Sequence, residues 1–397
     1  MDRKLERENL YEDINCPLCG LRKEKEIYSA VQFINDDVKK AVVTDVICLN
    51  CGFMYMNPRF KESVFSEHYI KYSSGAVYHE CHENSRHGKL SKERKAFIEH
   101  HLKEMFPGAY LDVGCGQGDL LRALNLVNWK KDGVEPLWSA REIGVSEFTV
   151  FPVTLERFVP REKYRAISCI SVLEHLIEPR ACLKKMGDLL DDEGILFIEI
   201  PDSLTPKAQI AEFFYFEHIS HFTKRTLEIM LNQCGFAAIE FDANLSVPNL
   251  RCVARKEKRL VDADYSKNRD ELEIPVASYK NEREVLIGGI RCRIEKKLEE
   301  IRKDGKKVAV YGAGAHTHLL LDIIDMADIV ECVIDSDPAK AFTKFRDWLV
   351  VPPQEIPRIE SKAILISSHD YQEEIAETIA KFNKNNIAVV RCYERLG

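Results

Sequence analysis

The chain reads as an α/β fold, and three observations say so. Two segments share one grammar, an apolar strand running into a glycine turn and then a helix: YLDVGCGQGDLL at 110–121 and KKVAVYGAGAHTHLLLDII at 306–324. After the first come YRAISCISVLEHL and DEGILFIEIPD, two more short apolar strands with a helix-length segment between them. At 397 residues the chain exceeds one ordinary core and should divide into two or three domains.

The formal net charge of -7 argues against a broad nucleic-acid footprint, so nucleic acid is not an expected partner. The N-terminal MDRKLERENLYEDIN lacks an apolar core of the signal-peptide kind, and no run of about 18 apolar residues could span a bilayer. The expectation is a cytoplasmic protein that takes a small molecule; its oligomeric state is not legible. Thirteen cysteines in a long chain without a secretory leader point to reduced thiols or a metal site, not a disulfide scaffold.

Four of those thiols are ordered. Cys16 and Cys19 in NCPLCG and Cys48 and Cys51 in ICLNCGF form two knuckles, each followed by a glycine that eases the tight turn. Four thiolates make a closed tetrahedral zinc site with no position left for a reacting water, so the zinc should be structural. This module is assigned to residues 1–75.

The first glycine turn carries Gly114, Gly116 and Gly118 as G-x-G-x-G, not the G-x-G-x-x-G of dinucleotide binders. Asp112 enters the turn, placed for a cationic or amino-bearing ligand. Glu135, 23 positions on, ends the next apolar run where a carboxylate meets ribose hydroxyls. An adenosine with an amino-acid tail fits both acids.

Glycine turn, strand-end acid and VLEH segment together resemble the class I S-adenosylmethionine-dependent methyltransferases, with a Rossmann-like core over roughly 76–255. The resemblance implies that Asp112, Gly114, Gly116 and Gly118 line the methionine end of S-adenosylmethionine, that Glu135 holds its ribose, and that Thr154 and Leu155 lie by the adenine.

Ligands of such sheets bind beyond the carboxyl ends of the strands. His175 follows the fourth strand of the unit, and FFYFEHISHF, 213–222, follows the fifth and precedes a helix that Thr223 can cap and Gly235 can end. A histidine there suits proton removal at neutral pH. His218 is the leading base, Glu217 its expected orienter, Tyr215 a second proton-handling group and His175 either a second catalytic group or a wall of the pocket. His221 and the phenylalanines are assigned to packing.

A zinc-binding front, this core with Y-x-E-H after its fifth strand, and a third nucleotide-fold domain are similar to the C-methyltransferases of nucleotide-linked deoxysugars. The resemblance implies methylation of a carbon beside a ketone, with Tyr215, Glu217, His218 and His175 as the acid/base set and Tyr72 in HYIKYSSG on the substrate side. O-methylation of a sugar or other hydroxyl compound stays open, since the same base serves it.

Residues 256–306 are charged, with Ile287, Ile290, Ile294, Leu298 and Ile301 at helical spacing, a connector with one packed face. The segment 307–397 should be a second Rossmann-like domain. Its Gly312 and Gly314 match the dinucleotide turn and Asp335 falls 23 residues after Gly312, but Thr317 stands where the third glycine belongs. NAD binding, and with it an oxidoreductase or a non-catalytic nucleotide-binding protein, is the alternative reading. The resemblance implies instead a domain that closes over the substrate.

Overall fold

The computed structural model describes residues 10–35, 38–72, 86–136, 147–206, 210, 213–243, 245–257, 265–338, 340–368 and 371–393. Its largest sheet has seven strands, ordered Phe236–Phe241, Asn249–Lys256, Leu190–Pro201, Tyr164–Ile170, Ala109–Val113, Lys130–Val134 and Thr149–Phe151. The five earliest in the chain run parallel, and Asn249–Lys256 is antiparallel to both its neighbours. All five residues of Ala109–Val113 are buried, as a central parallel strand covered on both faces requires.

Strand order reverses between Ala109–Val113 and Tyr164–Ile170. The chain winds outward from the first through Lys130–Val134 to Thr149–Phe151, then crosses back to the second. Such a switch point opens a crevice at the strand ends, which places the glycine turn 114–118 on one side and the Leu173–His175 turn on the other.

The N-terminal sheet joins Glu24–Phe33, Lys40–Cys48 and Met54–Met56, but it does not close within residues 1–75. Its fourth strand is Ser220–His221, paired antiparallel with Met54–Met56 through Ser220↔Tyr55 and His221↔Met54. The aromatic stretch after the core's fifth strand is therefore an edge of the front module. Thr223 caps the helix Lys224–Gln233 with a reciprocal bond pair to Thr226, and Gly235 follows that helix at φ 87°, as expected.

The charged connector is one helix, Ser266–Lys303, 38 residues and about 57 Å long. Its first half buries Leu272, Val276 and Tyr279 against Tyr28, Phe213 and Phe214; its second buries Ile290, Ile294, Leu298 and Ile301 in the C-terminal core. That core is a six-stranded sheet, ordered Lys344–Phe345, Trp348–Val351, Val330–Ile334, Val308–Tyr311, Ala363–Ile366 and Ala388–Arg391, parallel throughout except at Lys344–Phe345.

Among the described residues no helix is long and apolar enough to cross a membrane. The C-terminal unit leans on the front sheet, where Phe33 N–H donates to Asp322 Oδ2 at 3.1 Å and the Phe33 ring meets His318, 5.4 Å away, and the Arg346 guanidinium at 4.2 Å, itself bonded to His318.

Candidate active site

Backbone conformation builds the cofactor side. Gly114, Gly116 and Gly118 all take positive φ, 70°, 50° and 79°. A Cβ on Gly114 would sit 2.4 Å from Val172 Cγ2, whereas one on Gly116 would meet nothing within 4 Å among the described residues. Gly116 thus presents bare backbone to open space, the form a close ligand approach needs. Its N–H donates to Glu135 Oε2 at 3.0 Å, so turn and acid form one cradle and the buried carboxylate braces the loop.

Asp112 lies beneath, 4% exposed, with Oδ1 accepting the Ser168 hydroxyl at 2.6 Å. Burial pushes its carboxyl up to about 7; Ser168 and Arg94 work against that and Glu135 with it. A buried acid of this kind favours a cation as its neighbour, the charge an α-amino group carries. Of the residues expected near the adenine, Leu155 is buried in the core cluster and Thr154 is exposed.

The aromatic stretch 213–222 is fastened from three directions. The Gln32 side chain donates to Phe214 O at 2.7 Å and accepts from Phe216 N–H at 3.1 Å; Met56 N–H donates to Ile219 O at 3.0 Å; Ile219 N–H donates to Glu174 O at 3.0 Å. His218 Nδ1 lies 3.1 Å from Phe213 O, which assigns its proton to that nitrogen and leaves Nε2 as a proton acceptor. Its conjugate acid is held well below the usual histidine range, first by burial, then by His175 and His221, so the ring is neutral at neutral pH.

His175 meets the His218 ring edge to face at 4.9 Å, and its Nδ1 donates to Glu217 O at 2.9 Å. Glu174, His175 and His218 bring one donor or acceptor atom each within 4.8 Å of one another. Glu174 is 3% exposed, its Oε2 has no hydrogen-bond partner among the described residues, and burial raises its carboxyl.

One expectation is corrected. Glu217 does not orient His218: successive side chains of the turn diverge, and Glu217 Oε1 pairs with His68 Nε2 at 2.7 Å. The group that orients His218 is the carbonyl of Phe213. Burial acts to raise the Glu217 carboxyl, but the bond and charge of His68 hold it below the ordinary value.

Tyr215 packs on Phe216 at 4.9 Å, with its ring 6.5 Å from His318, and borders a cavity of about 470 Å³ shared with Gln32, Arg283 and Asp322. Tyr72 ends the helix Glu62–Tyr72; its side chain lies outside the described residues. His221 is buried and bonded to Asp45 at 2.9 Å, a structural position as expected.

Sequence reasoning missed His68, Tyr69 and Gln32. The only signal for the first two was register: they fall four residues after Val64 and Phe65, on the buried face of one helix. Tyr69 OH lies 3.4 Å from His175 Nδ1, and its phenol is pushed well above the usual range by burial, then by Glu217 and Glu174.

At the front, Cys16 and Cys51 sulfurs stand 3.5 Å apart and those of Cys19 and Cys48 3.6 Å, all four within 4.8 Å. Zinc–thiolate bonds of about 2.3 Å put tetrahedral sulfurs about 3.7 Å apart, so the donor set fits that ion. Gly20 and Gly52 follow the knuckles at φ 75° and 72°.

Residues 89–240 match the family model of a methyltransferase domain, and residues 304–389 match one described as C2185-like, N-terminal. A ubiquinone biosynthesis O-methyltransferase of Actinobacillus pleuropneumoniae is 32% identical over 122 residues, covering 27% of this chain and 52% of the relative. One from Glaesserella parasuis is 29% identical over 122 residues, covering 28% and 52%. The chain thus spans about half the length of the curated relatives it matches.

Among solved structures, the magnesium protoporphyrin IX methyltransferase of Synechocystis with bound SAH aligns at TM-score 0.39 and 15% identity, over 49% of this chain and 99% of that one. A Clostridium acetobutylicum S-adenosylmethionine-dependent methyltransferase aligns at 0.36 and 12%, over 49% and 98%. Glycine cradle, strand-end acid and switch-point sheet, taken with the family match, make residues 89–240 a class I S-adenosylmethionine-dependent methyltransferase domain.

Proposed function

We propose that the chain moves a methyl group from S-adenosylmethionine to a carbon beside the ketone of a keto-deoxysugar nucleotide, with His218 as the base. The observation that carries this reading is the fixed tautomer of His218, whose Nδ1–H is held by Phe213 O. Nε2 is then available to accept a proton, beside His175 and at the carboxyl ends of the core strands.

His218 removes the proton from the carbon, and the electron pair of that C–H bond delocalises onto the ketone oxygen. A donor near that oxygen, Tyr215 or His175, stabilises the enolate. The nucleophilic carbon then takes the methyl as the sulfonium–methyl bond breaks, leaving S-adenosylhomocysteine and the new C–C bond. Asp112 would hold the cofactor's amino group and Glu135 its ribose, and bare Gly116 would leave room for its approach.

In the same reading Cys16, Cys19, Cys48 and Cys51 hold a structural zinc. Its work is indirect: the sheet beside it carries Met54–Met56, which pairs with Ser220–His221 and so steadies the acceptor loop. The C-terminal unit, with its Rossmann-like strand and glycine-turn pattern, closes the acceptor side next to Tyr215.

The test is labelled S-adenosylmethionine with nucleotide sugars that carry or lack a 4-keto group, plus solvent exchange of the α-proton in the presence of S-adenosylhomocysteine. Transfer and exchange should need the ketone, and His218→Asn should lose both while binding cofactor normally. Transfer confined to non-keto hydroxyl compounds would overturn carbon methylation. It would favour the second reading, O-methylation, which the names of the curated relatives support.

A further inference from the structure

His68 belongs to the front module's helix Glu62–Tyr72, is 5% exposed, and has acceptors at both ring nitrogens. Nδ1 lies 2.9 Å from Ile34 O and Nε2 lies 2.7 Å from Glu217 Oε1. A carbonyl oxygen cannot donate, so Nδ1 carries a proton; a carboxylate cannot donate either, so Nε2 carries the second. The pair is an imidazolium and a carboxylate, buried beside Phe216, whose ring meets His68 edge to face at 4.6 Å.

A buried ion pair is a poor way to gain stability, because desolvation offsets most of the attraction and an apolar side chain would pack there equally well. What the pair does supply is position. Glu217 joins two bonds: its side chain takes the His68 proton, and its main-chain oxygen accepts from His175 Nδ1 at 2.9 Å. We propose that His68 is a positioning residue of the acceptor site, pinning Glu217 so that its carbonyl holds His175 as the Nδ1–H tautomer against His218. This rests on the acceptor-site reading above and assigns the front module a part in it beyond zinc binding. It also explains a glutamate that points away from the base it adjoins.

The experiment uses the full chain with ¹⁵N-labelled histidine and bound S-adenosylhomocysteine, comparing wild type with His68→Leu and His68→Gln. Ring-nitrogen spectra of the wild type should show His68 protonated at both nitrogens and His175 at Nδ1 alone. His68→Leu should scramble the His175 tautomer and lower kcat about 10- to 100-fold. Affinity for S-adenosylhomocysteine should stay within about twofold, which also certifies the fold. His68→Gln, which keeps a donor toward Glu217, should recover most of both signals.

An unchanged His175 tautomer in His68→Leu would overturn the proposal, as would a singly protonated wild-type His68. Loss of cofactor affinity equal to the loss of kcat would also overturn it, reducing His68 to packing. Because the spectra need no acceptor, failure to methylate any keto sugar would count against the proposed function and leave the His68 result standing.

Discussion

The two glycine turns were built on one plan and finished differently. In the first, Gly116 stands bare beside open space, Glu135 braces the loop, and an acid, Asp112, lies two residues before the first glycine. In the second, Val310 replaces that acid, fully buried; the first glycine is closed in both turns, Gly114 by Val172 and Gly312 by Ser367 Oγ, and the second, Gly314 like Gly116, meets nothing within 4 Å among the described residues. Thr317, standing where a third glycine would be, bonds to Gly312 O and Ser367.

Asp335, the acid of the second turn, accepts from Ala313 N–H at 2.7 Å and pairs with Lys340 Nζ at 3.4 Å. The turns therefore share their vacancy at the second glycine and differ in the residue before the first glycine and in the one at the third place. The second turn lacks the entering acid, and the bonded Thr317 fills the place of the third glycine of a dinucleotide turn, which weighs against the NAD reading.

The largest test of this contrast pairs the two acids. Glu135→Ala removes a charged acceptor from the cradle and should weaken S-adenosylmethionine by about 10- to 100-fold, at about 1.5–3 kcal/mol per lost charged hydrogen bond. Asp335→Ala should change it by less than about twofold, since the residue lies in the other unit. Calorimetric titration of both variants decides the matter, and equal losses would break the distinction.

Asp112 gives the next effect through pH. Its carboxyl is raised from 3.8 to about 7, so the free protein keeps that proton until near neutrality. The associated stability is full below 3.8 and is lost as pH rises through about 7. A cofactor ammonium prefers the carboxylate, so affinity should fall as pH drops below about 7, approaching tenfold per unit. Asp112→Asn should flatten the profile; an unchanged slope would remove Asp112 from the cofactor site.

His218 sharpens the comparison on the acceptor side. Because its proton affinity is held well below the usual histidine range, the rate at saturating cofactor should stay flat from pH 8 down past its ordinary value of 6.5. An acid limb near 6.5 in the wild-type rate would show a ring less desolvated than this geometry implies. The smallest effect belongs to Thr317→Gly, which restores the glycine pattern. It should cost the C-terminal unit about 1–2 kcal/mol in thermal unfolding through lost bonds and added chain freedom, with no gain of NAD binding.

Much of this molecule follows from local rules. The strand and turn at 109–118, the Thr223 cap, and the buried stripe Ile290, Ile294, Leu298 and Ile301 are each written within a few consecutive residues, because dihedral preference and periodicity act at that range. The four cysteines were legible for another reason: thiolates in knuckle spacing suit few ends other than a metal. Proton-handling partners were not legible in that way. Gln32 clamps a backbone 182 residues away, and His68 reaches Glu217 across 149, distances at which no spacing rule operates.

By itself the sequence determined an α/β chain with two glycine turns, a four-cysteine front, and a histidine-bearing aromatic stretch at the strand ends. Only the tertiary structure decided that Thr317 is tied to Gly312 and Ser367, that Ser220–His221 completes the front sheet, and that Glu217 answers to His68 and not to His218. The physical reason is that backbone conformation and amphipathic pattern are local properties. Vacancy, protonation and partnership depend on what the rest of the chain brings alongside.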